Sequence, residues 1–406
     1  MHEWRRESIG NCLNSYSFTA FPKIQARDYN SSGTYPIVDQ GQAFIAGWTN
    51  EIAGVISDQL PVVVFGDHSR TFKYVDVPFV RGADGTQVMR PKYGIDVRYF
   101  YFACRAIDLP SQGYSRHFKS LKETEIPLPP LSEQCDIAQV LSTIEDLSAL
   151  NDGQLSTLVR GKRTAMRVLF TRGLRGEALK DTQIGPVPAS WEVTHIEEWV
   201  SAISKGSSPK WQGFNYVDEG ILFVRSQNVG NGAMEFAEKA FLSVKWNDKE
   251  TRSILQTGDL LINLVGASIG RCAVGGEEIN NANCNQAVCF VRLDQTKLLS
   301  KFLCGFLLTD EGQSQIHDSK KDIARANLSL QDVRRLRVPK PALEEQSEIV
   351  AILDAIDQKI DLHRRKRAVL DNLFKSLLHK LMTGEIRVAD LDLSALRETV
   401  ALTHSA

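Results

Sequence analysis

The chain has 406 residues, of which 43% are apolar and 24% charged, and its formal net charge is −1. That length is too great for one core and calls for two or more domains. The balanced charge excludes a protein that coats nucleic acid through a global basic field, while leaving room for a local basic surface. No apolar run approaches the roughly 20 residues of a membrane span, and Met1-His2-Glu3-Trp4-Arg5-Arg6 lacks an apolar signal core, so no membrane contact and a cytoplasmic location are expected.

Residues 1–120 are rich in Gly, Asp, aromatic and β-branched types. Tyr35-Pro36-Ile37-Val38, Pro61-Val62-Val63-Val64-Phe65 and Phe72-Lys73-Tyr74-Val75 read as short strands, with turns at Gly66-Asp67 and Ala83-Asp84-Gly85. Residues 98–106 read as a buried helix. Together they predict a mixed α/β domain with a curled sheet.

Residues 121–175 open with Ile126-Pro127-Leu128-Pro129-Pro130-Leu131-Ser132-Glu133-Gln134. The prolines favour extended chain and forbid a helix. About 40 residues without proline follow, in which Ile137, Leu141, Ile144, Leu155, Leu158, Ala165 and Leu169 keep a helical register. Ser148, Asn151 and Lys162 interrupt that stripe, and Gly153 and Gly161 weaken the helix by roughly 1 kcal/mol each relative to Ala.

Residues 176–332 resemble the first domain in kind. Strands are expected at 221–225, 259–263 and 287–291 and a helix at 298–308. Little aligns between the two domains beyond Trp4 with Trp191 and Gln40 with Gln227, both 187 residues apart.

Residues 333–389 repeat the earlier helical region at a constant offset of 212, pairing Pro127 with Pro339, Gln134 with Gln346, Ile144 with Ile356, Leu169 with Leu381 and Arg175 with Arg387. No gap is needed over about 50 residues, so the chain contains an internal duplication. Ile349, Leu353, Ile356, Ile360, Leu370, Phe374, Leu377 and Leu381 follow a 4-3 spacing broken at His363 and Arg367. Each helix would be about 60 Å long at 1.5 Å per residue. Two striped helices, one per copy, are expected to pack on one another, with Leu141, Ile144, Leu353, Ile356, Ile360, Leu370, Phe374 and Leu377 in the packing or in partner binding. Residues 390–406 form a short tail. The expected fold is α+β: two mixed α/β domains joined by two long helices in an antiparallel coiled coil, with an internal pseudo-two-fold repeat.

The seven cysteines are scattered without a Cys-x-x-Cys, which favours reduced thiols in strands and helices over a zinc site. The sequence has no Asn/Asp-Pro-Pro-aromatic methyltransferase motif and no phosphate-binding loop. Gly266-Ala267-Ser268-Ile269-Gly270 spells a nucleophile elbow but lacks a recognisable acid and histidine arrangement, and it reads as a turn between strands. Asp357-Gln358-Lys359 spells a nuclease fragment but lies in mid-helix, as solvated surface. No catalytic residue and no metal ligand is assigned.

Several loops mix cations, amides and hydroxyls, the groups that contact phosphates and base edges. In the first domain they contribute Gln40, His68, Arg70, Arg116, His117 and Lys119. In the second they contribute Lys205, Ser207, Lys210, Arg225, Gln227, Asn228, Arg271, Gln286, Arg325 and Asn327. For each loop taken alone, an ordinary solvated surface is the alternative.

The doubled Pro-x-Pro-(x)-Leu-x-Glu-Gln entries at 127–134 and 339–346, each leading into a long helix that ends near Thr171 or Thr383-Gly384, resemble the specificity subunit of type I restriction-modification systems. Residues 35–38, 66–73, 259–270, Asn285-Gln286 and Asn327-Leu328-Ser329 resemble that family's target-recognition domains. The resemblance implies two heads that read the two halves of an asymmetric site in double-stranded DNA. The helices would space the heads and bind two methyltransferase subunits, and restriction–translocation subunits would join the complex. This chain would hold no cofactor, with S-adenosylmethionine, ATP and Mg on the partner subunits. The methyltransferase flips an adenine, so distorted DNA is expected in the complex. Two other readings are a structural coiled-coil adaptor that never meets DNA, and a recognition subunit from a restriction system of another type.

Overall fold

The computed structural model describes residues 4–110, 117–318 and 327–394. The fold is α+β and divides into two compact units, residues 1–153 with 364–406 and residues 154–363. Each unit holds one sheet-rich head and one half of each long helix, Leu131–Arg172 and Leu343–Thr383.

The long helices run antiparallel. Ion pairs join Glu133 to Arg387 and Asp152 to Arg367 in the first unit, and Lys162 to Asp357 and Arg175 to Glu348 in the second. As the residue number rises along one helix, its partner's number falls. The polar interruptions of the stripe account for two of these pairs. Lys162 reaches both carboxylate oxygens of Asp357 at 2.6 and 2.8 Å, and Arg367 sits 2.5 Å from Asp152 and 3.1 Å from Asp371. Asp357, expected as solvated surface, is therefore engaged across the helix pair.

The apolar stripes do more than face each other. In the first unit Ile137, Leu141 and Ile144 share a core with Tyr99, Phe100 and Phe102 from the helix Val97–Arg105, and with Leu370 and Leu381; Phe374 and Leu377 pack against it half-buried. In the second, Leu169, Phe170, Ile349 and Leu353 share a core with Phe302, Leu303 and Phe306 from the helix Ser300–Leu307. A Cβ added to Gly305 would lie 2.9 Å from the Phe170 ring and 3.3 Å from Leu353. Glycine there lets the short helix settle against both long helices. Ile360 is buried and Ile356 half-buried. Each stripe thus seats a head as well as the other helix, with an aromatic helix of the head adding large apolar side chains to the shared core.

Gly153 and Gly161 lie within the first long helix, and a Cβ at either would meet nothing within 4 Å. Gly161→Ala is expected to raise stability by about 1 kcal/mol, through the lost freedom of the unfolded chain. Chemical denaturation checks this; no gain would mean that the helix is locally distorted at that turn.

The heads are more alike than their sequences. In the first, strand Arg5–Ser8 pairs antiparallel with Glu125–Leu128, and in the second Glu192–His195 pairs with Arg337–Lys340. The register puts Arg5 opposite Leu128 and Glu192 opposite Lys340, so both offsets seen in the sequence, 187 and 212, meet in one hydrogen-bonded ladder. Ile9 N–H donates to the Thr124 carbonyl at 2.9 Å, and Ile196 N–H to the Leu336 carbonyl at 3.0 Å; both isoleucines are fully buried. Trp4 lies against Gly384, and Trp191 against Gly173, the glycines that end the two long helices.

Strand order also repeats. Tyr35–Val38 and Ile221–Val224 each pair antiparallel with the next long-range strand and parallel with a later one. Val62–Gly66 and Leu260–Asn263 each lie between two antiparallel neighbours. The likeness in kind expected of the two domains is a common strand topology under loops whose sequences have diverged. Six of the seven cysteines are buried, on strands or helices, as free thiols; Cys135 is exposed.

Candidate nucleic-acid interface

In the first head, three turns knit into one loop layer. Asp67 is 1% exposed. Its carboxylate accepts from the Phe118 N–H at 2.7 Å and its carbonyl oxygen lies 2.9 Å from His117 Nδ1, while its own N–H donates to Gly85 at 2.8 Å. Gln40 Oε1 accepts from the His68 N–H at 3.3 Å, and the Gln40 carbonyl accepts from the Thr71 hydroxyl at 3.2 Å. Beneath them Lys73, 5% exposed, donates to the carbonyls of Asp39 and Ala43 at 2.8 and 2.6 Å. Burial lowers the pKa of that amine, and the Asp39 carboxylate 3.8 Å away partly restores it. Gly66 is required: a Cβ there would come within 2.8 Å of the Gln40 carbonyl oxygen.

This layer brings together Gln40, His68, Arg70, His117 and Lys119. His68, Arg70 and Lys119 are exposed, and Gln40 is half-buried. Arg70 takes a left-handed backbone, φ 58°, and its guanidinium donates to the Leu109 carbonyl at 2.7 Å. His117 is 2% exposed and braces Asp67, so it shapes the layer from inside and does not present its ring to a ligand. Arg116 lies outside the described residues.

In the second head, five loops converge at the ends of the strands. Gly206 packs so closely under the Cys284 carbonyl that a Cβ would sit 1.6 Å from its oxygen. Asn285 N–H donates to Val224, Leu264 N–H to Ala287, and Leu328 N–H to Leu264, at 3.0, 2.8 and 2.9 Å. Asn263, fully buried, donates to the Ser226 carbonyl at 2.8 Å, and the Asn263 N–H donates to the Arg271 carbonyl at 2.9 Å. These bonds gather Lys205, Ser207, Arg225, Gln227, Arg271, Gln286 and Asn327 into one surface. Lys205, Gln227, Arg271, Gln286 and Asn327 are exposed, and Ser207 and Arg225 half-buried. Lys210 is exposed farther along the first of these loops.

Asn228 departs from expectation. It is 2% exposed; its amide nitrogen donates to the carbonyls of Glu235 and Glu238 at 2.9 and 3.0 Å and its oxygen accepts from the Arg225 N–H at 3.0 Å. It pins a turn and has no free edge for a base. Arg325 lies outside the described residues. Gly266–Ser268 forms a tight turn between strands, as its glycines imply, and the Ser268 hydroxyl bonds the Val265 carbonyl. Sequence reasoning missed the buried supports Asp67, Lys73 and Asn263. All three stand in recognised stretches, but nothing in a lone sequence marks a buried Asp, Lys or Asn apart from an exposed one. No helix among the described residues is long and apolar enough to cross a membrane.

Each unit thus sets a head of common frame, with its own polar loop layer, on one part of an antiparallel helix pair. Residues 22–160 and 188–372 match the family model of the type I restriction modification DNA specificity domain, and the chain belongs to that family. It is 26% identical over 283 residues to the type I restriction enzyme MjaVIII specificity subunit of Methanocaldococcus jannaschii, covering 68% of this chain and 65% of that one. It is 25% identical over 416 residues to the EcoBI specificity subunit of Escherichia coli, covering 94% and 85%. The chain thus spans just under two thirds of the archaeal relative and most of the bacterial one. Among solved structures the S subunit of a type I restriction-modification system from M. genitalium aligns with a TM-score of 0.63 at 17% identity, covering 94% of this chain and 96% of that one, a likeness of fold.

Proposed function

We propose that this chain is the sequence-reading subunit of a type I restriction-modification complex, with each head reading one half of an asymmetric, two-part site in double-stranded DNA. The observation that carries the reading is the repeated frame under two different loop layers: one scaffold twice, with two sets of cations, amides and hydroxyls. Lys119, Lys205 and Arg271 suit phosphates, and Gln227, Gln286 and Asn327 suit base edges. The long helices would dock two methyltransferase subunits, with restriction–translocation subunits joining the assembly. Exposed apolar side chains on them, Leu150, Val369 and Leu373 in one unit and Val159, Val168 and Leu362 in the other, are consistent with protein docking. The chain itself would perform no chemistry. S-adenosylmethionine, ATP and Mg would belong to the partners, and the complex would work in the cytoplasm, as an adenine-specific methyltransferase and ATP-dependent endonuclease.

A genome-wide map of modified adenines, with and without the gene, tests this. The expected result is loss of one split motif, two short words around a fixed gap. An unchanged map from a strain that expresses all the subunits would reject the proposal.

A further inference from the structure

Of the six tryptophans, Trp191 and Trp246 are buried and Trp4, Trp48 and Trp199 are half-buried, but Trp211 is 90% exposed. It stands at the centre of the short turn Lys210–Gln212, on the loop that begins with Lys205 and Gly206 in the reading surface of the second head. The turn is firmly held. Gln212 N–H and Phe214 N–H both donate to the Pro209 carbonyl, at 2.9 and 3.0 Å, and Gly213 closes it with φ 79°. The Phe214 ring meets the buried Trp246 edge-to-face at 5.1 Å. The Gln212 side chain donates to Glu250 at 2.5 Å, which occupies one oxygen of the carboxylate beside the turn. Two exposed cations belong to the same turn region: Lys210 immediately before Trp211 in sequence, and Lys249, whose ammonium lies 3.4 Å from the Gln212 carbonyl oxygen.

A large rigid π-face with a polar N–H at its edge, held outward on a fixed turn, suits a wet interface. With two cations on the same turn region it matches a polyanion with stacked aromatic planes, since side chains wedged at base steps and cations on adjacent phosphates recur together in DNA-distorting proteins. We propose that Trp211 is a wedge: it inserts against a base step at the half-site held by this head, with Lys210 and Lys249 on the flanking phosphates. This rests on the DNA-reading assignment and adds to it a residue that deforms the duplex without reading an edge.

The test uses the assembled subunit–methyltransferase complex and a duplex carrying the mapped site, with 2-aminopurine placed through and beside the second half-site. Trp211→Ala is expected to weaken binding by about 5- to 150-fold, the range for one aromatic stacking contact. It should also abolish a 2-aminopurine signal that the wild type produces at one step, while Trp211→Phe recovers most of both. Wild-type affinity and an unchanged fluorescence pattern in Trp211→Ala would overturn the wedge and leave DNA reading intact. Loss of the methyltransferase from the Trp211→Ala complex would place the indole on a protein partner and overturn it as well. If the wild-type complex ignores the duplex, the DNA-reading assignment itself fails.

Discussion

Gln346→Leu is expected to destabilise the unit of residues 154–363 by about 3–6 kcal/mol, a large part of a domain's total stability of about 5–15 kcal/mol. Gln346 is fully buried. Its oxygen accepts from the Leu299 N–H at 2.9 Å, and its nitrogen donates to the Lys297 and Pro341 carbonyls, both at 3.0 Å. Leucine has nearly the same volume, so the cost is not a cavity. It comes from unpairing one donor and two acceptors, the Pro341 carbonyl in a buried bond and the other two half-buried, at about 1–2 kcal/mol each. The Leu299 N–H is an orphan donor at the start of the helix Ser300–Leu307, which carries the aromatic side chains of the unit's core. Loss of the bond should loosen that helix first. Hydrogen exchange read along the chain checks this: protection should fall in 300–307 and then across the unit. The repeat supplies an internal comparison. Gln134, 2% exposed, makes the same bonds to the Asp96 N–H at 2.9 Å and the Pro129 carbonyl at 2.8 Å, one fewer than its counterpart. Gln134→Leu should cost less, and its effect should fall on the first unit. A cost under about 1 kcal/mol for Gln346→Leu would mean that the bonds are not structural pins.

Replacing residues 13–117 with the corresponding stretch of a relative that reads a different half-site is expected to change one word of the methylated motif and preserve the other word and the gap. The cut leaves the strand Arg5–Ser8 and its partner Glu125–Leu128 untouched, along with the Ile9 bond to Thr124 and the Gln134 bond to Asp96 if the graft keeps the helix start. It moves His117 together with the Asp67 that it braces. Each mismatched base pair costs about 1–3 kcal/mol, so two or three altered positions should weaken the original site by about 30-fold or more. Methylation mapping of the chimera decides. A change in both words would mean that the heads do not read independently.

The helices were legible because periodicity and duplication reinforce each other: Pro127 and Pro339 mark the entries, and Gly173 and Gly384 the ends. Helix Val97–Arg105 and the strands around Val63, Tyr74 and Ile262 also stood out as apolar or aromatic runs. What the stripe could not disclose was its partner. Leu353 facing a long helix and Leu353 facing Phe302 have the same spacing, and only the fold separates them. The kinship of the heads was hidden for a different reason. Strand pairing constrains the backbone, so a shared topology needs few shared side chains, and the 187-residue offset survived at little more than Trp4/Trp191 and Gln40/Gln227. At the candidate interface, loop composition picked out residues that the fold brings together within each head, but His117 and Asn228 have the same polar chemistry as their exposed neighbours. Nothing local separates a side chain that braces a loop from one that projects out of it.

The two ends of each head are stitched to one another, Arg5 to Leu128 and Glu192 to Lys340, before the chain enters a long helix. That stitch works as an electrical ground does, draining disturbance before it reaches the load. A substitution, insertion or altered backbone in the loop layer ends at a closed four-residue ladder, and the helix beyond it keeps its seat. On the proposed function, such a frame would let the loops drift quickly toward new bases while the parts that meet partners stayed constant, so a lineage would acquire new addresses without rebuilding its machinery.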